Sequence, residues 1–324
     1  MIDTYRIRLP DSWDQVPFEN RSDRLDDVNM VLLMGCPRSG TTFLLRCLAS
    51  LPHAQARSGI LIPERLCHVV GAASEGDERT DDLLYSFRDV LWKAFVSGVT
   101  SRVFHARDAA RHPAHARSSL AVLAGRREVD PSRCVFAYKE PFMVFAADRL
   151  AAHFRGARFL HLIRDGRDCA DSLDRTYGSA LSDEVLRADS SLWRRVGSEI
   201  GVARRIGASL VPWWVEEGRE EEFLAASRTE RYLWLWRESV ERGRAARAIA
   251  GDRYMELRYE ELCSDPRSAG RKILEFLGVE GSRRFDRAIG TARTSSVGIA
   301  RDSGIPAPRP ADAGRLLREL GYLR

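Results

Sequence analysis

No stretch of the 324-residue sequence approaches the ~20 consecutive apolar residues that span a bilayer, which excludes a protein built on membrane-crossing helices. The charges of Met1–Arg8 are not followed by an apolar run, so no secretory leader is expected. The six cysteines, Cys36, Cys47, Cys67, Cys134, Cys169 and Cys263, contain no C-x-x-C pair. Scattered in this way they predict buried reduced thiols in a cytoplasmic protein rather than a disulfide framework or a zinc site. Strong charge of one sign is also missing. Lys and Arg total 51 against 46 for Asp and Glu, a net charge of +5 that suits an anionic small ligand and does not by itself indicate nucleic acid. Internal repeats and a convincing linker are absent too. With 44% hydrophobic and 30% charged residues the chain is neither disordered nor fibrous. The expectation is one domain over residues 1–324, with a polar lead-in at 1–27 and a terminal loop and helix at 299–324.

Short apolar runs alternate with longer helical patterns. Val28 to Met34 is followed by Gly35-Cys36-Pro37-Arg38-Ser39-Gly40, then by Phe43, Leu44, Cys47, Leu48 and Leu51 at helical spacing. Ala157 to Ile163 leads through Arg164-Asp165-Gly166-Arg167 into a helix-like segment ending near Leu173. A long helical stretch from Arg228 to Ala250 precedes a third strand at Arg253–Tyr259, and Asp265-Pro266 reads as a cap and first helical residue. Cys134 to Tyr138 is a further strand, stopped by Pro141. Strands alternating with helices predict an α/β fold: a P-loop type parallel β-sheet with helices on both faces and helical insertions. Gly71–Asp82, His105–Ser119 and Ile299–Asp312 read as irregular. His105, His112 and His115 have no useful metal spacing. Trp213-Trp214 and Trp234/Trp236 mark apolar helical surface, with core favoured over a lid.

Gly35-x-x-x-x-Gly40-Thr41-Thr42 has the spacing of a phosphate loop, in which glycines let successive N–H groups face an anion at a helix N-terminus. A triphosphate cradle requires lysine before the hydroxyl residue, and Thr41 stands there instead. Arg38, Ser39, Gly40, Thr41 and Thr42 therefore remain as donors for a single phosphate.

Cys36-Pro37-Arg38-Ser39-Gly40-Thr41-Thr42-Phe43 resembles the 5′-phosphosulfate loop of the sulfotransferases that use 3′-phosphoadenosine 5′-phosphosulfate (PAPS). The run from Leu162 to Ser172 resembles that family's 3′-phosphate motif, which implies that Arg164 and Ser172 bind the 3′-phosphate. Tyr138-Lys139-Glu140-Pro141-Phe142 is similar to a segment of the tyrosylprotein branch. Arg258-Tyr259-Glu260-Glu261-Leu262 resembles an element near the nucleotide base, which places Tyr259 by the adenine. The four matches run in family order from about Val31 to Val279.

The resemblance implies PAPS as donor co-substrate, no metal, and in-line transfer of the sulfuryl group to a hydroxyl of an acceptor, a small molecule being favoured. It implies Lys139 and Arg38 on the sulfuryl oxygens and leaving group, and a carboxylate base after the phosphosulfate loop. Glu64, at the end of the strand-like run Gly59–Ile62, is the first choice of base, Glu140 the second and His68 a distant third. Asp165 and Asp168 are expected to cap and orient; Arg293, Ser295, Ser296 and Arg301 lie where the family returns to the nucleotide. No nucleic-acid partner and no membrane span are expected, and assembly is left open, a homodimer included. A small-metabolite kinase, a protein-tyrosine sulfotransferase and a nucleotide- or RNA-binding module are the competing expectations.

Overall fold

The structure is a computed structural model that describes residues 25–59, 61–62, 64–74, 77–125, 133–177, 180–187, 201–302 and 311–323. Five parallel strands make the central sheet: β1 (Asn29–Met34), β2 (Ala54–Ser58), β3 (Val135–Lys139), β4 (Arg158–Ile163) and β7 (Tyr254–Arg258). Their order is β2-β3-β1-β4-β7. The first crossover thus runs to one side of β1 and a later one to the other, which makes β1 the switch point where open α/β sheets hold ligands. β5 (Ala203–Ile206) and β6 (Ser209–Pro212) form a separate antiparallel hairpin.

The helices are α1 (Thr41–Leu48), α2 (Glu64–Ala72), α3 (Glu78–Val99), α4 (Arg102–Arg111), α5 (Ala116–Leu123), α6 (Ala147–His153), α7 (Gly166–Tyr177), α8 (Asp183–Arg187), α9 (Glu220–Ala225), α10 (Arg228–Ala250), α11 (Tyr259–Ser264), α12 (Pro266–Leu277), α13 (Arg283–Ile289), α14 (Ile299–Asp302) and α15 (Ala311–Glu319). Local chemistry sets several ends. Ser227 and Glu230 form a reciprocal capping box at the start of α10. Asp265 caps α12, Pro266 is its first residue, and Gly278 closes it in the left-handed region.

Alternate residues of β1 enter different cores. Met30, Leu32 and Met34 pack into the cluster containing α3, α6 and α10, while Val31 and Leu33 face α1, α12 and α13. A sheet buried on both faces explains why the strands read as continuous apolar runs.

Four expectations are corrected. Gly71–Asp82 is mostly helix, because α2 continues to Ala72 and Asp77 caps α3 by accepting from Arg79 N. His105–Ser119 is largely α4 and α5: Ser101 caps the first, and its Ala and Arg residues are good helix formers. Trp213 and Trp214 sit in the turn after β6, not on a helix. Trp214, Trp234 and Trp236 are fully buried core residues. Part of the expected loop at Ile299–Asp312 is α14; residues 303–310 lie outside the described residues.

Candidate active site at the carboxyl ends of the strands

The parallel register pairs Leu33 with Lys139, Ser58 with Lys139, Met34 with His161, and Ile163 with Arg258. The loop after β1, the residues after β2, Lys139, Arg164 and Tyr259 therefore emerge at one edge of the sheet.

The loop from Gly35 to Gly40 curls tightly. A side chain on Gly35 would lie 2.3 Å from the Leu162 carbonyl oxygen, so only glycine lets the loop lie against β4. Gly40 adopts φ 99° and starts α1 without a side-chain cap, leaving first-turn N–H groups for a ligand. Arg38, at φ 73°, is strained and exposed. Ser39 is fully buried and its hydroxyl has no hydrogen-bond partner among the described residues. Thr41 is buried and Thr42 exposed in the first turn of α1. An uncapped helix start with an orphaned hydroxyl beside it fits an oxyanion.

Arg164 and Ser172, expected at the 3′-phosphate, both contact Arg38 of the glycine loop. Arg38 Nε donates to Ser172 Oγ at 3.0 Å, so the two motifs meet directly. Arg164 is 7% exposed. It donates to the Arg38 carbonyl at 3.0 Å and to the Ser296 carbonyl, and pairs with Asp168 at 3.4 Å. Its Nε has no partner. The Trp236 indole donates to the Arg164 carbonyl at 2.9 Å and fixes the backbone there. Tyr259 packs against the loop: its ring abuts Gly40, carries the Arg164 guanidinium 5.1 Å from its centroid, and shares a hydrogen bond with Ser296 Oγ at 3.2 Å.

Asp168 accepts from Gly298 N at 2.8 Å and Ala300 N at 2.9 Å, drawing the C-terminal segment across the site. Asp165 accepts from Arg167 through both oxygens, at 3.0 and 2.7 Å, and its own N–H donates to Glu260. Both aspartates orient the backbone. Ser296 contacts Arg164 and Tyr259, while Arg293 and Ser295 are exposed and the side chain of Arg301 lies outside the described residues. Only the long-range pairing of Asp168 with Gly298 reveals this closure; no local pattern in the sequence carries it.

Lys139 ends β3 half-buried, and its ammonium makes no hydrogen bond or ion pair among the described residues. Tyr138 Oη accepts from Ile62 N and donates to the Gly59 carbonyl, each at 3.0 Å, which pins the chain leading to Glu64 beside Lys139. Glu64 begins α2 rather than ending a strand, since β2 stops at Ser58; Ile60 and Pro63 lie outside the described residues. Glu140 is 1% exposed and accepts from Phe142 N at 3.2 Å. Burial pushes its carboxyl up to about 7; the Phe142 N–H opposes this, Glu64 adds to it and Lys139 reduces it. Glu64, Lys139 and Glu140 thus form one electrostatic group. His68 is buried in α2. Its Nδ1 accepts from Trp213 Nε1 at 3.1 Å, so the neutral ring has no lone pair left to receive a proton.

Two outcomes follow. The Glu140 carboxyl holds its proton more tightly folded than unfolded, so its stabilisation is full below the ordinary carboxylate range and fades as pH rises toward 7. Urea unfolding at about pH 4 and about pH 8 should show the wild type losing about 3 kcal/mol more than Glu140→Gln. Parallel pH dependence would refute the assignment. Arg164→Ala should weaken adenosine 3′,5′-bisphosphate by about 10- to 100-fold in calorimetry, the worth of a charge-assisted hydrogen bond. Unchanged affinity would leave Arg164 a purely structural strut.

A glycine-bounded loop at the switch point of a parallel sheet, with Arg38, Arg164, Lys139 and Glu140 near the carboxyl ends of the strands, marks this α/β protein. The chain belongs to the Sulfotransferase family, whose model matches residues 31–199 and 202–283. Among solved structures, the sulfotransferase domain from the curacin biosynthetic pathway is similar with TM-score 0.52 and 14% identity, covering 90% of this chain and 97% of that one. The sulfotransferase domain of the olefin synthase from Synechococcus PCC 7002 gives 0.47 and 19%, covering 91% and 94%. The first of these likenesses concerns the fold alone. No curated protein matches the sequence. Among the described residues no helix is long and apolar enough to cross a membrane, and no group of three or more His, Cys, Asp or Glu could hold a metal.

Proposed function

We propose that the protein transfers a sulfuryl group from PAPS to a hydroxyl of a small-molecule acceptor in the cytoplasm. The observation that carries this is the direct meeting of the two anion motifs, Arg38 Nε on Ser172 Oγ, with Lys139, which has no ion pair among the described residues, at the end of the strand that pairs with β1. The buried Ser39 hydroxyl and the Arg164 Nε, both without hydrogen-bond partners among the described residues, are the donors a bis-phosphorylated nucleotide would engage. PAPS supplies an activated sulfuryl group whose leaving group is a phosphate oxygen. Arg38, Ser39, Gly40, Thr41 and Thr42 hold the 5′-phosphate; Arg164 and Ser172 hold the 3′-phosphate, with Tyr259 and Ser296 closing the pocket. Lys139 and Arg38 offset charge gathering on the leaving oxygen, and Glu64 takes the proton of the acceptor hydroxyl. Positioning and fixed charge carry such a transfer, as they do in phosphoryl transfer.

Calorimetric titration with adenosine 3′,5′-bisphosphate, followed by sulfation of a panel of phenols, alcohols and sugars under PAPS, tests the reading. Binding of the bisphosphate and transfer to at least one acceptor are expected. Stabilisation by ATP with magnesium and none by the bisphosphate would replace this reading with a kinase.

A further inference from the structure

Away from the anion loops, three residues from separate elements meet before the start of β2. His53 Nδ1 lies 2.8 Å from Asp108 Oδ2, and its Nε2 lies 3.2 Å from Ser118 Oγ. Asp108 belongs to α4 and Ser118 to the first turn of α5. The five steps from His53 to Ser58 span roughly 16 Å of extended chain, so this cluster stands at the opposite end of β2 from Lys139.

The hydrogen bonds fix a tautomer. Asp108 also accepts from His53 N at 2.8 Å and from Ser119 Oγ at 2.8 Å. Burial alone would raise this carboxyl, but the hydrogen bonds from His53 and Ser119 outweigh it and hold the group below its ordinary range. An ionised Asp108 requires the proton on His53 Nδ1, which frees the Nε2 lone pair for the Ser118 hydroxyl. Ser119 Oγ also approaches Nδ1, at 3.4 Å, on the buried side.

Accessibility increases along the chain of contacts, with the Asp108 side chain 6% exposed and that of His53 21%. Ser118 opens into a cavity of about 400 Å³ that Arg117, Arg133 and His115 also line. His53 occupies φ 52°, a left-handed conformation uncommon for residues other than glycine, though histidine adopts it more readily than most. A buried carboxylate, a correctly protonated imidazole and a reachable hydroxyl are the components of an activated nucleophile.

We propose that Ser118, His53 and Asp108 form a second, hydrolytic site for small carboxylic esters that bear an anionic group. Ser118 Oγ attacks the ester carbonyl carbon and gives its proton to His53 Nε2. The ester C–O bond breaks, and the departing alcohol oxygen takes that proton. Water then attacks the acyl carbon, passing a proton to His53, which returns it to Ser118 Oγ as the acid leaves. One ester and one water become one acid and one alcohol. Asp108 is a positioning residue, and Arg117 and Arg133 select the anionic substrate.

A fluorophosphonate probe tests the nucleophile, because an activated serine displaces fluoride and retains the phosphonyl group. Peptide mass mapping should place one addition on Ser118. The addition should vanish in Ser118→Ala and slow at least about 100-fold in His53→Asn, within the range of general-base contributions. Asparagine tolerates the positive φ and keeps the backbone N–H on Asp108, so the variant should fold, as its melting temperature will show. No addition at Ser118, or an unchanged rate in His53→Asn, overturns the proposal. For substrate class, 4-nitrophenyl hydrogen succinate should be hydrolysed at least tenfold faster in kcat/KM than 4-nitrophenyl acetate. Arg117→Ala should remove that preference; equal rates for the two esters in the wild type overturn the anionic selectivity.

Discussion

Lys139→Ala should lower the turnover of sulfuryl transfer by about 100- to 1,000-fold, the cost of deleting one preorganised electrostatic donor. Affinity for adenosine 3′,5′-bisphosphate should change far less. The grounds are positional. Lys139 closes β3 between β1 and β2, paired in register with Leu33 and Ser58, so its backbone is fixed by two neighbouring strands. Its ammonium has no carboxylate bound to it among the described residues, which leaves its charge available to a ligand. In the proposed reading the phosphate grip falls to other residues: Arg38, Ser39, Ser172 and Arg164. A charge that acts where the sulfur–oxygen bond breaks should therefore affect kcat, while the bisphosphate, which has no sulfuryl group, should scarcely sense its loss. Calorimetry beside steady-state kinetics separates the cases. Equal losses in both would place Lys139 in the nucleotide grip instead.

The strands and loops around the candidate site were legible because their chemistry is local. A glycine at each end of the phosphate loop, proline within it and a periodic helix after it require no distant partner to be recognised. The span of α10 and the Asp265-Pro266 start of α12 were readable for the same reason. Three features were not. Glu64 follows an apolar run that reads as a strand, yet Tyr138 from β3 holds that run by its hydroxyl and the chain turns into α2. Trp213 and Trp214 look like helix surface, but their place is set by the β5–β6 hairpin, whose polar strand residues carry little pattern. The closure of Gly298 and Ala300 on Asp168 joins residues 130 and 132 positions apart. The same holds for Arg38 on Ser172: each motif is visible alone, while their contact belongs to the sheet order.

Glu64→Gln should leave bisphosphate affinity near wild type and reduce turnover by about 100- to 10,000-fold, the span associated with a positioned general base. Two carboxyls compete for the role, and their surroundings differ. Glu140 is almost wholly enclosed, spends one oxygen on the Phe142 N–H, and holds its proton up to about 7. Its raised value suits proton transfer, but an acceptor hydroxyl would have to displace packed side chains to reach it. Glu64 sits at the start of α2, partly open, close enough for its charge to raise Glu140, Cys67 and Tyr138. Access therefore favours Glu64, with Glu140 sustaining the local field. The Gln variant keeps the shape of the side chain and removes its basicity. If Glu64→Gln turns over normally while Glu140→Gln does not, the proton goes to the buried carboxyl, and the acceptor must enter along β3 rather than over the start of α2.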